Sequence, residues 1–217
     1  MDKEEILEKV RKAGVISVIR GPSVDLTLKM VEALIAGGVN SIEITYSTPN
    51  AAQVTYSLNQ RFGDDILLGM GTLTIPAQAQ EAKDAGARFI VSPHCEEKLA
   101  SAMVATGLPI MMGAFTPSEI VASHRLGSSI VKLFPGSLGG PKYLKSIRGP
   151  FPDIPIMPTG GVSMDNISEW YDAGAVAVGA GSNLCPTKLA LDGKFDEITT
   201  RAQGYIKAIN SYRSQKV

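Results

Sequence analysis

The chain has 217 residues, with 21 Lys and Arg, 21 Asp and Glu, and therefore no formal net charge. This length suits one α/β barrel, so we expect a single domain over residues 1–217. The balanced charge excludes the broad positive field that binding to nucleic acid or to an anionic membrane requires. The two cysteines are isolated, and neither an export signal nor an apolar span of about 18 residues is visible. We therefore expect a cytoplasmic protein.

Short apolar runs alternate with amphipathic segments along the chain. Strands are predicted at 15–20, 41–45, 66–72, 89–93, 109–115, 130–135, 154–161 and 175–181. Helices are predicted at 25–35, 76–85, 96–106, 117–126, 165–173 and 187–212. This alternation predicts a parallel (β/α)₈ TIM barrel rather than an open sheet. An extra helix over 3–13 is expected to cover the amino-terminal end of the barrel.

Polar side chains lie in several of these strands. The first strand ends on Arg20, the second holds Glu43 and Thr45, and the sixth holds Lys132. Because side chains alternate along a strand, we expect Glu43 and Lys132 to point inward. Interior layers of a barrel come from alternate strands, and active sites lie at the carboxyl ends of strands. We therefore predict that Glu43 and Lys132 meet at the centre.

A lysine inside an apolar strand is a candidate nucleophile. Desolvation favours the neutral amine, which attacks a ketone to give an electron-withdrawing iminium. Glu43 would then take and return protons during carbinolamine formation, dehydration and carbon–carbon cleavage. The alternative interpretation of Lys132 is a structural ion pair with Glu43, or a buried stem whose charged end reaches solvent.

Two glycine-rich segments follow the last two strands. Thr159, Gly160 and Gly161 follow strand seven, and Gly181 and Ser182 follow strand eight. Barrels commonly bind phosphate in these two loops through backbone N–H groups. Plain turn geometry is the alternative, and a carboxylate or another anion would suit the same donors. The sequence shows no set of residues spaced as metal ligands, so no metal is expected.

The segments around these residues resemble the family of 2-keto-3-deoxy-6-phosphogluconate (KDPG) and 4-hydroxy-2-oxoglutarate (KHG) aldolases. Segment 38–45, GVNSIEIT, is similar to the glutamate-bearing strand of that family. Segment 127–135, GSSIVKLFP, followed by Gly140, is similar to its Schiff-base lysine signature. The resemblance covers nearly the whole chain. It implies a cofactor-free class I aldolase, typically a homotrimer, that cleaves a 2-keto-4-hydroxy acid to pyruvate and an aldehyde.

The resemblance also implies roles for individual residues. Lys132 would be the nucleophile and Glu43 the acid and base. The other positions fall into a substrate group and a phosphate group. The substrate group is Arg20, Thr45, Thr72, Pro93, Phe134 and Thr159, and the phosphate group is Gly160, Gly161, Gly181 and Ser182.

The sequence departs from the family pattern at three positions. Ser47 stands where the glutamate strand of the family usually continues to an arginine, His94 replaces a glycine, and Gly136 replaces a serine or alanine. An uncharged serine cannot clamp a carboxylate through two hydrogen bonds. Arg20, or the Thr72 hydroxyl with nearby backbone N–H groups, would then hold the substrate carboxylate.

Two other functions use the same features. A phosphosugar isomerase or epimerase on this barrel would use Glu43 as its base, with Lys132 as an electrostatic partner. A barrel that only binds sugar phosphates would keep the glycine loops and release no pyruvate. The fold alone does not distinguish these functions, so the choice among them rests on the residues of the site.

Overall fold

The computed structural model describes residues 1–216, in which strands and helices alternate. The strands are β1 (Val15–Ile19), β2 (Ser41–Thr45), β3 (Leu67–Gly71), β4 (Phe89–Val91), β5 (Ile110–Met111), β6 (Gly113–Ala114), β7 (Val131–Leu133), β8 (Ile156–Pro158) and β9 (Val178–Ala180). The helices are α1 (Lys3–Ala13), α2 (Val24–Ala36), α3 (Ala51–Phe62), α4 (Ala77–Asp84), α5 (Glu97–Ala105), α6 (Pro117–Arg125), α7 (Gly136–Arg148), α8 (Ile167–Asp172), α9 (Thr187–Leu191) and α10 (Phe195–Ser214). Each predicted strand and helix segment overlaps one or two of these elements.

All strand pairs are parallel. One sheet has the order β5-β4-β3-β2-β1-β9 and the other has the order β6-β7-β8. Further hydrogen bonds run between the two sheets. The Val176 N–H donates to the Ile156 carbonyl at 3.0 Å, and Thr159 forms a parallel bridge with Gly179. Helices between parallel strands place this protein in the α/β class.

The prediction of one continuous strand over 109–115 was wrong, because the ladder breaks at Met112 between β5 and β6. The Met112 N–H donates to the side-chain hydroxyl of Ser128 at 2.8 Å instead of to a strand carbonyl. The Met112 carbonyl still accepts from the Lys132 N–H at 3.0 Å. A side-chain acceptor therefore replaces one bond of the ladder without leaving a backbone group unpaired.

Side chains alternate between two cores, as predicted. On β2, Ile42 and Ile44 pack against the helices in the larger hydrophobic core. Ser41, Glu43 and Thr45 belong to the opposite face and are buried. This alternation directs the polar residues of the strands toward the interior.

Helix α1 covers the amino-terminal ends of the strands. A capping box between Asp2 and Glu5 starts the helix, and Ile6, Leu7 and Val10 are its buried residues. They share the second core with residues from the amino-terminal halves of the strands, namely Ile16, Leu67, Phe89, Met111, Ile130 and Met157. The helix therefore closes this end of the interior and leaves the carboxyl ends of the strands open.

The carboxyl-terminal part of the chain forms two helices, α9 and α10, where one helical segment over 187–212 was predicted. The chain turns between them at 192–194, where the Lys194 N–H donates to the Leu189 carbonyl. Two further helices, α3 and α7, were not delimited from the sequence. Helix α3 has no side-chain cap, and Gly140 interrupts α7 with non-helical angles. Among the described residues, no helix is long and apolar enough to cross a membrane.

Candidate active site

Strands β2 and β7 bring Glu43 and Lys132 together. Each residue is the central residue of its strand, and both side chains point into the interior. The Lys132 Nζ lies 3.9 Å from the Glu43 Oε1, and the two side chains are 4% and 0% exposed. The predicted meeting of these residues therefore occurs in this structure, as a buried ion pair.

The Glu43 carboxylate is held by packing rather than by hydrogen bonds. Neither of its oxygens has a hydrogen-bond partner among residues 1–216. A β carbon at Gly71 on β3 would overlap this carboxylate, so the glycine makes the space that it occupies. A buried carboxylate without hydrogen bonds is costly, and its charge is balanced here by Lys132. Such a carboxylate is available to accept a proton from a bound molecule.

The environment of Lys132 is largely apolar. Its Nζ lies 5.2 Å from the ring centroid of Phe134, which stands on the same face two residues along the chain. An aromatic face at this distance attracts a cation and keeps water away from the amine. The amine therefore has one charged neighbour and one aromatic neighbour.

A pocket of about 270 Å³ opens at the carboxyl ends of the strands, with Lys132 in its wall. Its lining brings together ten of the twelve predicted site residues: Lys132, Arg20, Thr72, Pro93, Phe134, Thr159, Gly160, Gly161, Gly181 and Ser182. Glu43 lies behind Lys132 and does not line the pocket. The pocket thus connects the buried pair to the two glycine loops.

The glycine loops form a cradle of donors. Gly160 and Gly161 have φ angles of 97° and 74°, which L side chains rarely adopt. The backbone N–H groups of Gly161 and Ser182 donate to no protein acceptor within the described part of the chain. The Arg20 guanidinium lies beside Gly181. Free N–H groups next to a guanidinium suit an anion.

Thr72 and Thr159 also line the pocket. Thr72 follows β3 with a φ of 61°, in the left-handed region that costs a non-glycine residue about 1–2 kcal/mol. The Thr159 hydroxyl is buried and has no partner among residues 1–216. Backbone strain and an unpaired buried hydroxyl are both features of binding sites.

The structure places Thr45 outside the pocket. Its side chain is fully buried, and its hydroxyl donates to the Ile19 carbonyl at 2.8 Å and contacts the Ser47 hydroxyl at 2.7 Å. The prediction that Thr45 contacts substrate is therefore not supported by its position. Thr45 ties β2 to β1 and orients Ser47, which also lies outside the pocket.

Pro135, Ser137 and Asn183 also line the pocket and were not among the predicted site residues. Ser137 lies against Gly161, because the first turn of α7 packs against the loop after β8. The position of Ser137 shortly after the strand with Lys132 was the available signal. The contact itself depends on two loops that are distant in sequence.

His94 lies in a separate, smaller cavity of about 140 Å³ with Cys95, Phe115 and Glu119. This cavity shares the walls Pro93 and Phe134 with the main pocket. Burial raises the pKa of the Cys95 thiol, and the nearby Glu119 carboxylate adds to the effect. His94 is exposed and does not line the main pocket.

The fold and the site define a parallel α/β protein with an interior lysine and glutamate pair beside a pocket lined by Arg20 and two glycine loops. A family model, "Aldolase: KDPG and KHG aldolase", matches residues 6–201. The chain belongs to the family of KDPG and KHG aldolases and is an aldolase, a lyase that acts on keto-deoxy acids.

Individual relatives agree with this assignment. The chain is 32% identical over 206 residues to the 2-dehydro-3-deoxy-phosphogluconate aldolase of Treponema pallidum, covering 94% of this chain and 96% of that protein. It is 29% identical over 199 residues to the 2-dehydro-3-deoxy-6-phosphogalactonate aldolase of Escherichia coli, covering 91% and 97%.

A solved structure shows the same fold. The KDPG aldolase of Legionella pneumophila, described with pyruvate captured as a covalent carbinolamine intermediate, superposes with a TM-score of 0.84 at 33% identity. The match covers 90% of this chain and 96% of that chain.

Proposed function

We propose that this protein cleaves 2-keto-3-deoxy-6-phosphogluconate to pyruvate and glyceraldehyde 3-phosphate through a Schiff base on Lys132. The observation that carries the proposal is the buried amine in the pocket wall, 3.9 Å from the Glu43 carboxylate. KHG, which gives pyruvate and glyoxylate, is the alternative substrate. The reaction uses no cofactor.

The two sheets form one barrel in this proposal. Strands β5 and β6 are a single barrel strand interrupted at Met112, and the bonds between β8 and β9 close the ring. Eight strands then surround the interior, with α1 as an extra helix over the amino-terminal end. Closure matters for the chemistry because Lys132 and Glu43 must reach the same substrate atoms from different strands.

The reaction begins when the Lys132 ammonium gives a proton to the Glu43 carboxylate and the neutral amine attacks the C2 carbonyl of the substrate. Glu43 returns this proton to the carbinolamine hydroxyl, which leaves as water and gives an iminium, in which C2 withdraws electrons from the bond between C3 and C4. Removal of the proton on the C4 hydroxyl then breaks this bond, releases the aldehyde and leaves an enamine. Protonation at C3 and hydrolysis of the imine return pyruvate and the free lysine.

Glu43 moves the protons in these steps. Its oxygens have no hydrogen-bond partner in the described protein, so a substrate hydroxyl meets a free acceptor. The carboxylate takes the C4 hydroxyl proton and returns a proton to C3 of the enamine, so it begins and ends the cycle ionised. The short ion-pair distance to the lysine supports this role, because groups attached to C2 of a bound substrate would lie near the same carboxylate.

The far end of the pocket binds the phosphate. The N–H groups of Gly161 and Ser182 would donate to phosphate oxygens, and the Arg20 guanidinium would balance the charge. Thr72 and nearby backbone N–H groups hold the substrate carboxylate, because Ser47 carries no charge and lies outside the pocket. We also propose that the chain forms a homotrimer, as the family resemblance implies. Sedimentation velocity would measure the mass of the assembly.

Reduction with borohydride in the presence of pyruvate tests the mechanism. A Schiff base is reduced to a stable adduct, so mass spectrometry of a digest is expected to find the added mass on the peptide with Lys132. The Lys132→Ala variant is expected to form no adduct and to lose cleavage activity, while Lys142→Ala, on α7, serves as the matched control. Full activity in Lys132→Ala would exclude the mechanism.

The choice of substrate requires a separate measurement. A coupled assay of pyruvate release, run with KDPG, its galactonate epimer and KHG, compares kcat/KM for each. We expect the highest value with KDPG. A higher value with KHG would contradict the phosphate assignment and leave the Schiff base intact.

A further inference from the structure

A second cavity, of about 340 Å³, lies at the amino-terminal end of the strands, on the side opposite the pocket with Lys132. Helices α1 and α10 form one wall, and the segments that lead into β2 and β3 form the other. None of its lining residues belongs to the catalytic pocket. Its volume is in the range of small-molecule sites.

Part of the wall of this cavity is apolar, beside the polar residues Asn40, Ser41 and Asn210. Val15, Val39, Ile66 and Ile209 contribute to it and are at most 2% exposed. Ile206 of α10 adds a half-buried aliphatic side chain. An apolar part of a ligand would find carbon contacts along this part of the wall.

The rim on the α1 side is positively charged. Lys9 and Lys12 are exposed, and neither forms an ion pair with any residue in 1–216. Arg213 of α10 donates to the carbonyls of Lys12 and Arg11 at 2.7 Å and forms no ion pair with a residue in 1–216. Three cations with no acidic partner in the described chain line this side of the cavity.

The opposite rim carries two acidic residues, Asp64 and Asp65, but only part of their negative charge is free. Asp64 pairs with Arg88 at 3.1 Å, so its charge is largely compensated. Asp65 is the remaining acidic residue among those that line the cavity. The sum over the lining groups and their partners is positive, and an anion is the complementary ligand.

A buried hydroxyl provides an independent observation. Ser41, at the start of β2, lines the cavity and is 1% exposed. Its Oγ has no hydrogen-bond partner among residues 1–216, whereas the hydroxyls of Thr45 and Thr48 on the same segment are bonded. A buried polar group without a partner costs about 1–3 kcal/mol. A polar group on a ligand would satisfy it.

We propose that this cavity binds a small aromatic carboxylate that also carries a hydroxyl group. The carboxylate pairs with Lys9 and Lys12 at the rim, the ring contacts the aliphatic wall, and the hydroxyl bonds to Ser41. The site is separate from the aldolase reaction, and its test does not depend on that reaction.

Fluorescence titration of the full chain with 6-hydroxy-2-naphthoate tests the proposal. We expect saturable binding of one molecule per chain that an excess of pyruvate and inorganic phosphate does not displace. The double variant Lys9→Gln, Lys12→Gln is expected to bind about tenfold more weakly, the effect of losing charge-assisted hydrogen bonds. Lys207→Gln, exposed on α10 and outside the cavity, is expected to bind like the original chain.

The proposed hydrogen bond between Ser41 and the ligand hydroxyl is tested with a second ligand that lacks this hydroxyl. In the original chain 2-naphthoate, which lacks the hydroxyl, is expected to bind more weakly than 6-hydroxy-2-naphthoate, and in Ser41→Ala the two are expected to bind equally. Circular dichroism verifies that each variant is folded. Absence of saturable binding, displacement by pyruvate and phosphate, or an unchanged affinity in the double lysine variant would overturn the proposal.

Discussion

Gly71 leaves the space in which the Glu43 carboxylate lies. The two residues belong to neighbouring strands, and a side chain at 71 would overlap the carboxylate group. Glu43 has no hydrogen bond to hold it among the described residues, so the shape of β3 sets its position. The geometry of the pair of Glu43 and Lys132 therefore depends on the absence of a side chain at Gly71 on the next strand.

Substitution of Gly71 by alanine is expected to displace Glu43 from Lys132. Overpacking in the interior lowers the free energy of unfolding by about 1–3 kcal/mol, and kcat should fall at least about tenfold because a shifted base transfers protons poorly. Steady-state kinetics and urea unfolding measure both effects. Gly149→Ala, at a helix end with helical backbone angles, is the control and should change neither. Destabilisation with an unchanged kcat would contradict this role of Gly71.

Glu43→Gln preserves the shape of the side chain and removes its proton transfer. We expect kcat to fall by about 10²–10⁴-fold, the usual contribution of an acid or base. Pyruvate should still form a borohydride adduct, more slowly, but its methyl protons should no longer exchange with deuterated water in an NMR assay. Glu119→Gln, in the neighbouring cavity, should exchange normally. Rapid exchange in Glu43→Gln would assign the protons to another group.

Arg20→Met keeps much of the side-chain volume and removes the charge beside the glycine loops. KM for KDPG is expected to rise at least about tenfold, because a charge-assisted contact with the phosphate is lost. Cleavage of KHG, which has no phosphate, should change little and provides an internal control. An equal rise in KM for KDPG and for KHG would indicate that Arg20 binds the substrate carboxylate instead of the phosphate.

We expect the buried thiol of Cys185 to make the free energy of unfolding depend on pH. Burial raises the pKa of its thiol from 9.0 to about 12. Between these values the unfolded chain loses this proton first, so the free energy of unfolding falls as pH rises, by at most about 1.4 kcal/mol per pH unit from this group. Urea unfolding from pH 8 to 11 measures the slope. Cys185→Ala is expected to show a shallower decline, and an identical slope would exclude the thiol as its source.

Much of the fold follows from local patterns. The apolar runs locate every strand, because buried parallel strands need continuous hydrophobic segments. The capping box at Asp2 and Glu5 marks the start of α1 in the sequence itself. The break at Met112 was not predictable in this way, since its cause is the hydroxyl of Ser128, sixteen residues further along the chain.

Some features of the candidate site were also predictable from the sequence, and others were not. Strand alternation predicted that Glu43 and Lys132 face inward. Strand alternation also predicted that Thr45 faces inward, like Glu43. The Thr45 hydroxyl instead donates a hydrogen bond to the Ile19 carbonyl. Ser137 was missed because its place in the pocket results from packing of the first turn of α7 on another loop.

Local sequence patterns are sufficient to find the reactive groups: an amine in an apolar strand, a carboxylate on the inward face of another strand, and two glycine-rich loops. Which of these groups meet depends on the packing of the whole chain. The 3.9 Å approach of Lys132 to Glu43 and the room that Gly71 leaves arise between strands distant in sequence. Periodicity reports the direction of a side chain, whereas distance and free space depend on what the rest of the chain packs around it.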